Sequence, residues 1–395
     1  MNDVSQRHQD NPHCVHNSIP IVALVGPTAS GKTALSIALA QMLGGADCVE
    51  IVSADAMQLY RGMDIGTAKA TASERQGIKH HQIDVLDVRD EASVAVYQRK
   101  ARKDIEDIMA RGKVPILVGG SGLYVSAALD ELNFPGTCVH IRAELEAIAA
   151  AEGLEPLIAE LCKRDPRSAA VIDLANPRRV IRALEVVRLT GESFTPIFPR
   201  HTSHYSKILH IGIKAERPFL DPRIEQRARG MFENGLLEET QELLNCGLKE
   251  GSTARKATGY SQAIDMLEGN IDIEQAIEST ALATRHLAKK QRTWFKADKR
   301  IEWLCPDSDS GRYMNGSTPT DTRCSVDDAD NEALPRRKQA VARVEDIHIQ
   351  EPQVHVPYID DSLNNSLNDS QIEVGEIFLD HVCAKIELMR QSQGI

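Results

Sequence analysis

Eight consecutive residues, Gly26, Pro27, Thr28, Ala29, Ser30, Gly31, Lys32 and Thr33, fit the pattern G-x-x-x-x-G-K-S/T. They follow an apolar run, IPIVALVG from Ile19, and lead into Lys32 to Leu43, which has helical spacing. Strand, glycine-rich turn and helix in that order form the setting in which such a loop works. Glycines let backbone N–H groups curl around phosphate oxygens, and the helix N-terminus adds a favourable dipole. Lys32 supplies a point charge, and Thr33 offers a hydroxyl to Mg²⁺. A chain built around this unit has to place its strand inside a sheet covered on both faces.

The rest of the first half agrees. EIVSAD (50–55) reads as a second strand and KVPILV (113–118) as another, separated by an amphipathic helix at about 93–111. A Gly-Gly-Ser-Gly turn at 119–122 opens a further helix. Alternation of this kind implies a parallel sheet with flanking helices, here of the P-loop NTPase type in the α/β class. The texture then changes. Residues 135–190 are rich in Ala, Glu and Leu with no strand candidate, and read as an all-helical insertion domain. A strand returns at 208–214, helices follow at about 219–232, 235–246, 260–268 and 274–297, and IEWLC (301–305) is a last strand candidate. The catalytic core is therefore expected over 19–134 and 191–305.

The remaining segments are read by composition. Residues 1–18 lack an apolar stretch behind a basic start and are expected to be a disordered extension of a cytoplasmic protein. Residues 306–395 are expected to form an acidic tail of low order, with a short helix at about 371–390. The eight cysteines show no CxxC pair, so neither a zinc site nor a disulfide framework is expected. No apolar run reaches the roughly 18–20 residues that a membrane span needs.

Charge bears on partners. The total is −11, but 306–395 holds 17 Asp/Glu against 8 Lys/Arg, a balance of −9, which leaves −2 for residues 1–305. Within that body, seven basic residues crowd 285–300: Arg285, Lys289, Lys290, Arg292, Lys296, Lys299 and Arg300. A local basic surface binds phosphate whatever the net charge.

The loop specifies a pyrophosphate ligand and leaves a kinase, an NTPase switch and a diphosphate-using transferase open. Asp55 ends the second strand, so it points into the crevice where open α/β sheets bind ligands. There it could hold Mg²⁺ through water or serve as a general base; the structural alternative is a cap on the following turn.

Several further segments, in order, resemble the bacterial tRNA dimethylallyltransferase (tRNA isopentenyltransferase) family. They are GPTASGKT (26–33), SADAMQLYRGMDIGTAK (53–69), HHQID (80–84), LVGGSGLY (117–124), NPRRVIRALEV (176–186), GLLEET (235–240), ATGYSQAI (257–264) and TRHLAKKQRTWFK (284–296). The resemblance implies attack of N6 of the adenosine 3′ to the anticodon on C1 of dimethylallyl diphosphate, with pyrophosphate leaving. It implies Asp55 as general base, and Asp55, Ala56, Met57 and Gln58 as a base-contacting turn. Thr33 is implied as Mg²⁺ and phosphate hydroxyl, and Ser121 as an active-site hydroxyl where the family usually has Thr. Arg179 and Arg227 match arginines near donor and acceptor, where a guanidinium can grip pyrophosphate bidentately. Arg142, Arg178, Arg179 and Arg182 on the insertion, and Arg255, Gly259 and Tyr260 in the core, match tRNA contacts; a buried tyrosine is the alternative for Tyr260. Mg²⁺ is the expected cofactor, tRNA and dimethylallyl diphosphate the expected partners, and a monomer the expected state. His80 and His81 lack further ligands at metal spacing and are expected in a loop bordering the site. Trp294 and Phe295 are read as core.

The rival readings are a small-molecule or nucleotide kinase and a non-catalytic nucleotide-binding regulator. A kinase should carry an arginine-bearing lid, and none is evident outside the insertion. A regulator has no use for Asp55 in the crevice. Only the tRNA reading accounts for both the helical insertion and the basic segment at 285–300.

Overall fold

The computed structural model describes residues 19–194, 201–306, 313–315 and 382–387. Its strands are β1 (Ile21–Val25), β2 (Val49–Ser53), β3 (His80–His81), β4 (Val114–Gly119), β5 (Ile208–Ile213), β6 (Glu302–Pro306) and β7 (Tyr313–Asn315). They form one sheet in the order β3-β2-β4-β1-β5-β6-β7. All neighbours pair in parallel except β6 and β7, which run antiparallel. The helices are α1 (Lys32–Met42), α2 (Val94–Ala110), α3 (Gly122–Leu129), α4 (Val139–Glu152), α5 (Glu155–Arg164), α6 (Pro166–Ala169), α7 (Pro177–Thr190), α8 (Arg217–Glu233), α9 (Leu236–Asn245), α10 (Tyr260–Leu267) and α11 (Ile273–Lys296).

The central strand explains its own composition. Alternate residues of β1 face opposite sides of the sheet. Val22 and Leu24 enter one apolar cluster with Leu35 and Leu39 of α1, while Ile21, Ala23 and Val25 enter another with Ala101 and Ile105 of α2. Both faces are covered, so the strand is an unbroken apolar run rather than an alternating one. The long helix α11 starts where Asp272 accepts the Gln275 N–H at 2.9 Å and Gln275 reciprocates. Its buried stripe includes Ile277, Thr280, Ala281, Ala288, Gln291 and Phe295, so Thr280 and Gln291 interrupt an otherwise apolar face.

The insertion is helical as expected. Helices α4, α5 and α7 close over an apolar cluster that includes Leu145, Leu157, Leu161, Val180 and Leu184. Its base is pinned by Glu185, which is 0 % exposed. That carboxylate accepts from the Cys138 N–H at 3.0 Å, from Arg142 Nη2 at 2.8 Å and from Arg182 Nη1 at 2.7 Å. Burial pushes its pKa up, but these bonds outweigh burial and hold it below the usual carboxylate value.

One expectation changes. His80 and His81 form β3, pairing with Ile51 and Val52, because a third parallel strand satisfies the outer backbone of β2. Residues 382–387 are helical, inside the short helix expected at about 371–390; Val382 and Ile386 are buried in the cluster that contains α1. Lys385 pairs there with Glu302 of β6. The expected extension 1–18, and most of the tail, lie outside the described residues.

Candidate active site

Three adjacent strands, β2, β4 and β1, end at the same edge of the sheet, and each is followed by a turn that carries chemistry. From β1 comes the phosphate loop. Gly31 takes φ +87° and Ala29 φ +62°, left-handed values that reverse the chain before α1. The N-terminus of α1 has no side-chain cap, so its first N–H groups remain for a ligand anion. The Pro27 carbonyl accepts from Ser30 Oγ at 2.8 Å and from Lys32 Nζ.

From β2 comes Asp55, whose Oδ1 accepts the Met57 N–H at 2.9 Å. The turn-capping role and the crevice position are therefore both real. From β4 comes the Gly-Gly-Ser-Gly turn. A Cβ on Gly119 would stand 2.2 Å from the Ala54 carbonyl oxygen, so only glycine lets the β4 turn approach the β2 turn. That approach brings Ser121 Oγ to the Ala56 N–H at 3.3 Å.

Arg227 reaches in from α8, with Nη1 3.4 Å from Thr28 Oγ1. Lys32, Arg227 and Asp55 form one electrostatic group. Burial lowers the Lys32 pKa to about 7; Asp55 opposes the shift and Arg227 adds to it. Burial likewise lowers the Arg227 pKa against the pull of Asp55. Two cations held close together with only one carboxylate between them make a site short of negative charge.

The turn from Asp55 to Gln58 is braced from behind. Gln58 Oε1 accepts from Ser53 Oγ at 2.9 Å, and its Nε2 donates to the Thr67 carbonyl at 3.2 Å. Lys69 is buried and donates to Tyr60 O at 2.6 Å and Asp64 Oδ1 at 2.8 Å, and it also reaches Asp84. Glu239 accepts from the Ile65 N–H at 3.0 Å and from Tyr260 Oη at 2.6 Å. Sequence reasoning missed Lys69, Asp84 and Glu239 as supports, although all three lie inside the motifs it quoted.

Gly26 to Thr33, Asp55, Ala56, Met57, Gln58, Ser121 and Arg227 thus surround one crevice. The remaining candidates sit elsewhere. Arg142 and Arg182 spend their guanidinium groups on Glu185, and Arg182 also donates to the Pro135 carbonyl at 2.6 Å. Arg178 and Arg179 are exposed on the first turn of α7, without an ion pair among the described residues. Arg179 is not among the charges that act on Lys32. Arg255 is exposed and donates to the Lys249 carbonyl at 3.3 Å. Gly259 caps α10, its N–H donating to Gln262 Oε1 at 2.8 Å. Tyr260 is 0 % exposed, the buried alternative. Its phenol is pushed well above its usual pKa by burial and by Glu239. In the basic segment, Arg285, Arg292 and Arg300 pair with acids. Lys289, Lys290, Lys296 and Lys299 are exposed without an ion pair among the described residues.

A cradle for an anion, with a carboxylate and a hydroxyl delivered by the two strands beside it, defines an α/β enzyme of the P-loop class. Comparison with known proteins narrows that class. A family model described as IPP transferase matches residues 58–298, and the chain belongs to this family. It is 50% identical over 289 residues to a tRNA dimethylallyltransferase of Thermobifida fusca, covering 73% of this chain and 90% of that protein. A tRNA dimethylallyltransferase of Corynebacterium glutamicum is also 50% identical over 289 residues, covering 73% and 95%. Among solved structures, a full-length tRNA isopentenylpyrophosphate transferase of Bacillus halodurans is similar at 42% identity and TM-score 0.53, covering 72% of this chain and 89% of that one. A eukaryotic dimethylallyltransferase described as acting on tRNA is similar at 25% identity and TM-score 0.61, covering 72% and 73%.

Proposed function

We infer that this protein is a tRNA dimethylallyltransferase that moves the dimethylallyl group of dimethylallyl diphosphate to N6 of the adenosine 3′ to the anticodon. The observation that carries this reading is the meeting of the phosphate loop, the Asp55 turn and the Ser121 turn at one sheet edge, in a chain of the IPP transferase family. Acting on tRNA, such an enzyme would work in the cytoplasm.

The chemistry follows from what each group can do. The α1 N-terminus, Lys32 and Arg227 hold the diphosphate, and their charge stabilises the leaving pyrophosphate as the C1–O bond lengthens. The N6 lone pair forms the new C–N bond at C1, and the N6 proton passes to Asp55, because the amine is a poor acid until that bond forms. Oδ1 of Asp55 is engaged by Met57, and no protein group among the described residues bonds Oδ2, which leaves it to take the proton. Met57 and Gln58 meet the adenine, which must first leave its stack. Ser121 sets the position of the Asp55 turn through Ala56.

The residues fit Mg²⁺. Thr33 is exposed at the second position of α1, and no cluster of three or more acidic, His or Cys ligands exists among the described residues. That matches an ion held by one or two protein oxygens plus substrate phosphates. When bound, it would neutralise charge on the departing pyrophosphate.

The test uses purified protein, Mg²⁺, labelled dimethylallyl diphosphate and an anticodon stem-loop with adenosine 3′ to the anticodon, followed by nucleoside analysis. Label in isopentenyladenosine is the expected result. ATP turnover without transfer to RNA would overturn the reading in favour of a kinase. Asp55→Ala should lose at least ~100-fold in turnover while donor binding survives; wild-type rates in that variant would remove Asp55 from the mechanism.

A further inference from the structure

Gln291, 8 % exposed, is one of two polar residues, with Thr280, in the otherwise apolar buried stripe of α11. Its Oε1 accepts the Thr28 N–H of the phosphate loop at 2.8 Å, across 263 residues of sequence. The carbonyl of the same peptide unit, that of Pro27, is taken by Ser30 Oγ and Lys32 Nζ. The Pro27–Thr28 peptide plane is thus held on both sides, by the loop's own Ser and Lys on one and by a distant helix on the other. The other end of the same side chain faces the β4 turn. A Cβ on Gly120 would stand 2.5 Å from Gln291 Nε2 and 3.2 Å from the Gly26 carbonyl oxygen. One amide therefore fills the slot between the loop that carries Lys32 and the turn that carries Ser121.

We propose that Gln291 is a positioning residue of the transfer reaction, fixing the phosphate loop against the Ser121 turn and so setting where the donor lies relative to the acceptor. The proposal rests on the transferase reading above. The physics favours a single outcome. A buried N–H left without its acceptor costs free energy, so losing Oε1 lets the Pro27–Thr28 peptide rotate. Rotation turns the Pro27 carbonyl away from Lys32, and the ammonium shifts from the place where it meets the diphosphate. A displacement of about 1 Å in a transfer site costs up to ~100-fold in rate. The RNA surface is untouched, because Gln291 points inward.

Two variants separate positioning from packing. Gln291→Met keeps volume and removes both hydrogen-bonding ends. Gln291→Glu keeps an acceptor for Thr28 but, when ionised, sets a negative charge beside the donor's own; when protonated it regains both ends of the amide. Steady-state transfer to the stem-loop is measured from pH 6 to 8, with donor affinity measured separately by calorimetry without RNA. Gln291→Met should lose ~10-fold to 100-fold in kcat/KM for dimethylallyl diphosphate, with KM for RNA unchanged and the deficit flat with pH. The Gln291→Glu deficit, relative to wild type, should shrink as pH falls. Wild-type donor constants in Gln291→Met, a defect confined to RNA binding, or pH-flat deficits in both variants would overturn the proposal. If Gln291→Met does not fold, the pH trend of Gln291→Glu decides. Failure of wild-type protein to transfer label would instead sink the transferase reading, leaving the calorimetry to report on Gln291 alone.

Discussion

Diphosphate binding should take up a proton, and Lys32 is the group that takes it. In the protein without donor, burial holds its pKa at about 7, against an ordinary 10.5. A bound diphosphate puts several negative charges beside the amine and raises that value again. Above pH 7 the free site is mostly neutral at Lys32 and the complex is not, so each complex formed binds one more proton. Affinity should then weaken by up to about tenfold per pH unit. Between pH 7.5 and 9, where the donor itself is fully ionised, Kd should rise by about 25-fold. Calorimetry in two buffers of different protonation heat, at pH 8.5 and without RNA, should show uptake approaching one proton. Lys32→Met should bind weakly and take up none. A Kd independent of pH over that range, with no uptake by wild type, would refute the argument, since it would mean that Lys32 is already charged in the protein without donor. The same shift acts on folding with a definite sign. The unfolded chain holds this proton up to about 10.5 and the folded protein without donor only to about 7, so between those values the unfolded state binds more protons. The destabilisation due to Lys32 is complete below pH 7 and fades as pH rises towards 10.5.

Further outcomes follow from the packing. Glu185→Gln should destabilise the protein by ~2–3 kcal/mol in chemical denaturation, because two guanidinium groups lose their buried partner. The stabilisation from Glu185 is present above the ordinary carboxylate value of 4.5 and should be lost as pH falls through the lower folded value. Arg178→Ala with Arg179→Ala should leave Tm unchanged and reduce the slope of log affinity for RNA against log salt by ~1–2; an unchanged slope would place RNA elsewhere. Truncation after residue 371 should lower Tm while sparing transfer, because Val382 and Ile386 contribute apolar burial to a shared cluster and no reacting or charged group to the crevice. Loss of transfer at a temperature where the truncated protein is folded would show that the tail acts in the reaction.

What the amino-acid sequence determined alone is local. The phosphate loop, the unbroken apolar strand before it and the helical stripe after it depend on residues a few positions apart, and so does the alternation that makes the sheet parallel. Asp55 at a strand end was legible for the same reason. Tertiary structure decided which charges are free and which are spoken for. Arg142, Arg178, Arg179 and Arg182 look alike as letters, yet two of them close on Glu185, whose carboxylate lies 43 residues from Arg142. Tyr260 could have been a stacking platform until Glu239 and the Gly66 N–H were seen to hold its hydroxyl. Gln291 reads as one more polar residue in a basic helix, and only folding brings it to Thr28. The physical reason is common to all three cases. A buried polar group is defined by the partner that satisfies it, and that partner is chosen by the packing of helices on a sheet, not by spacing along the chain.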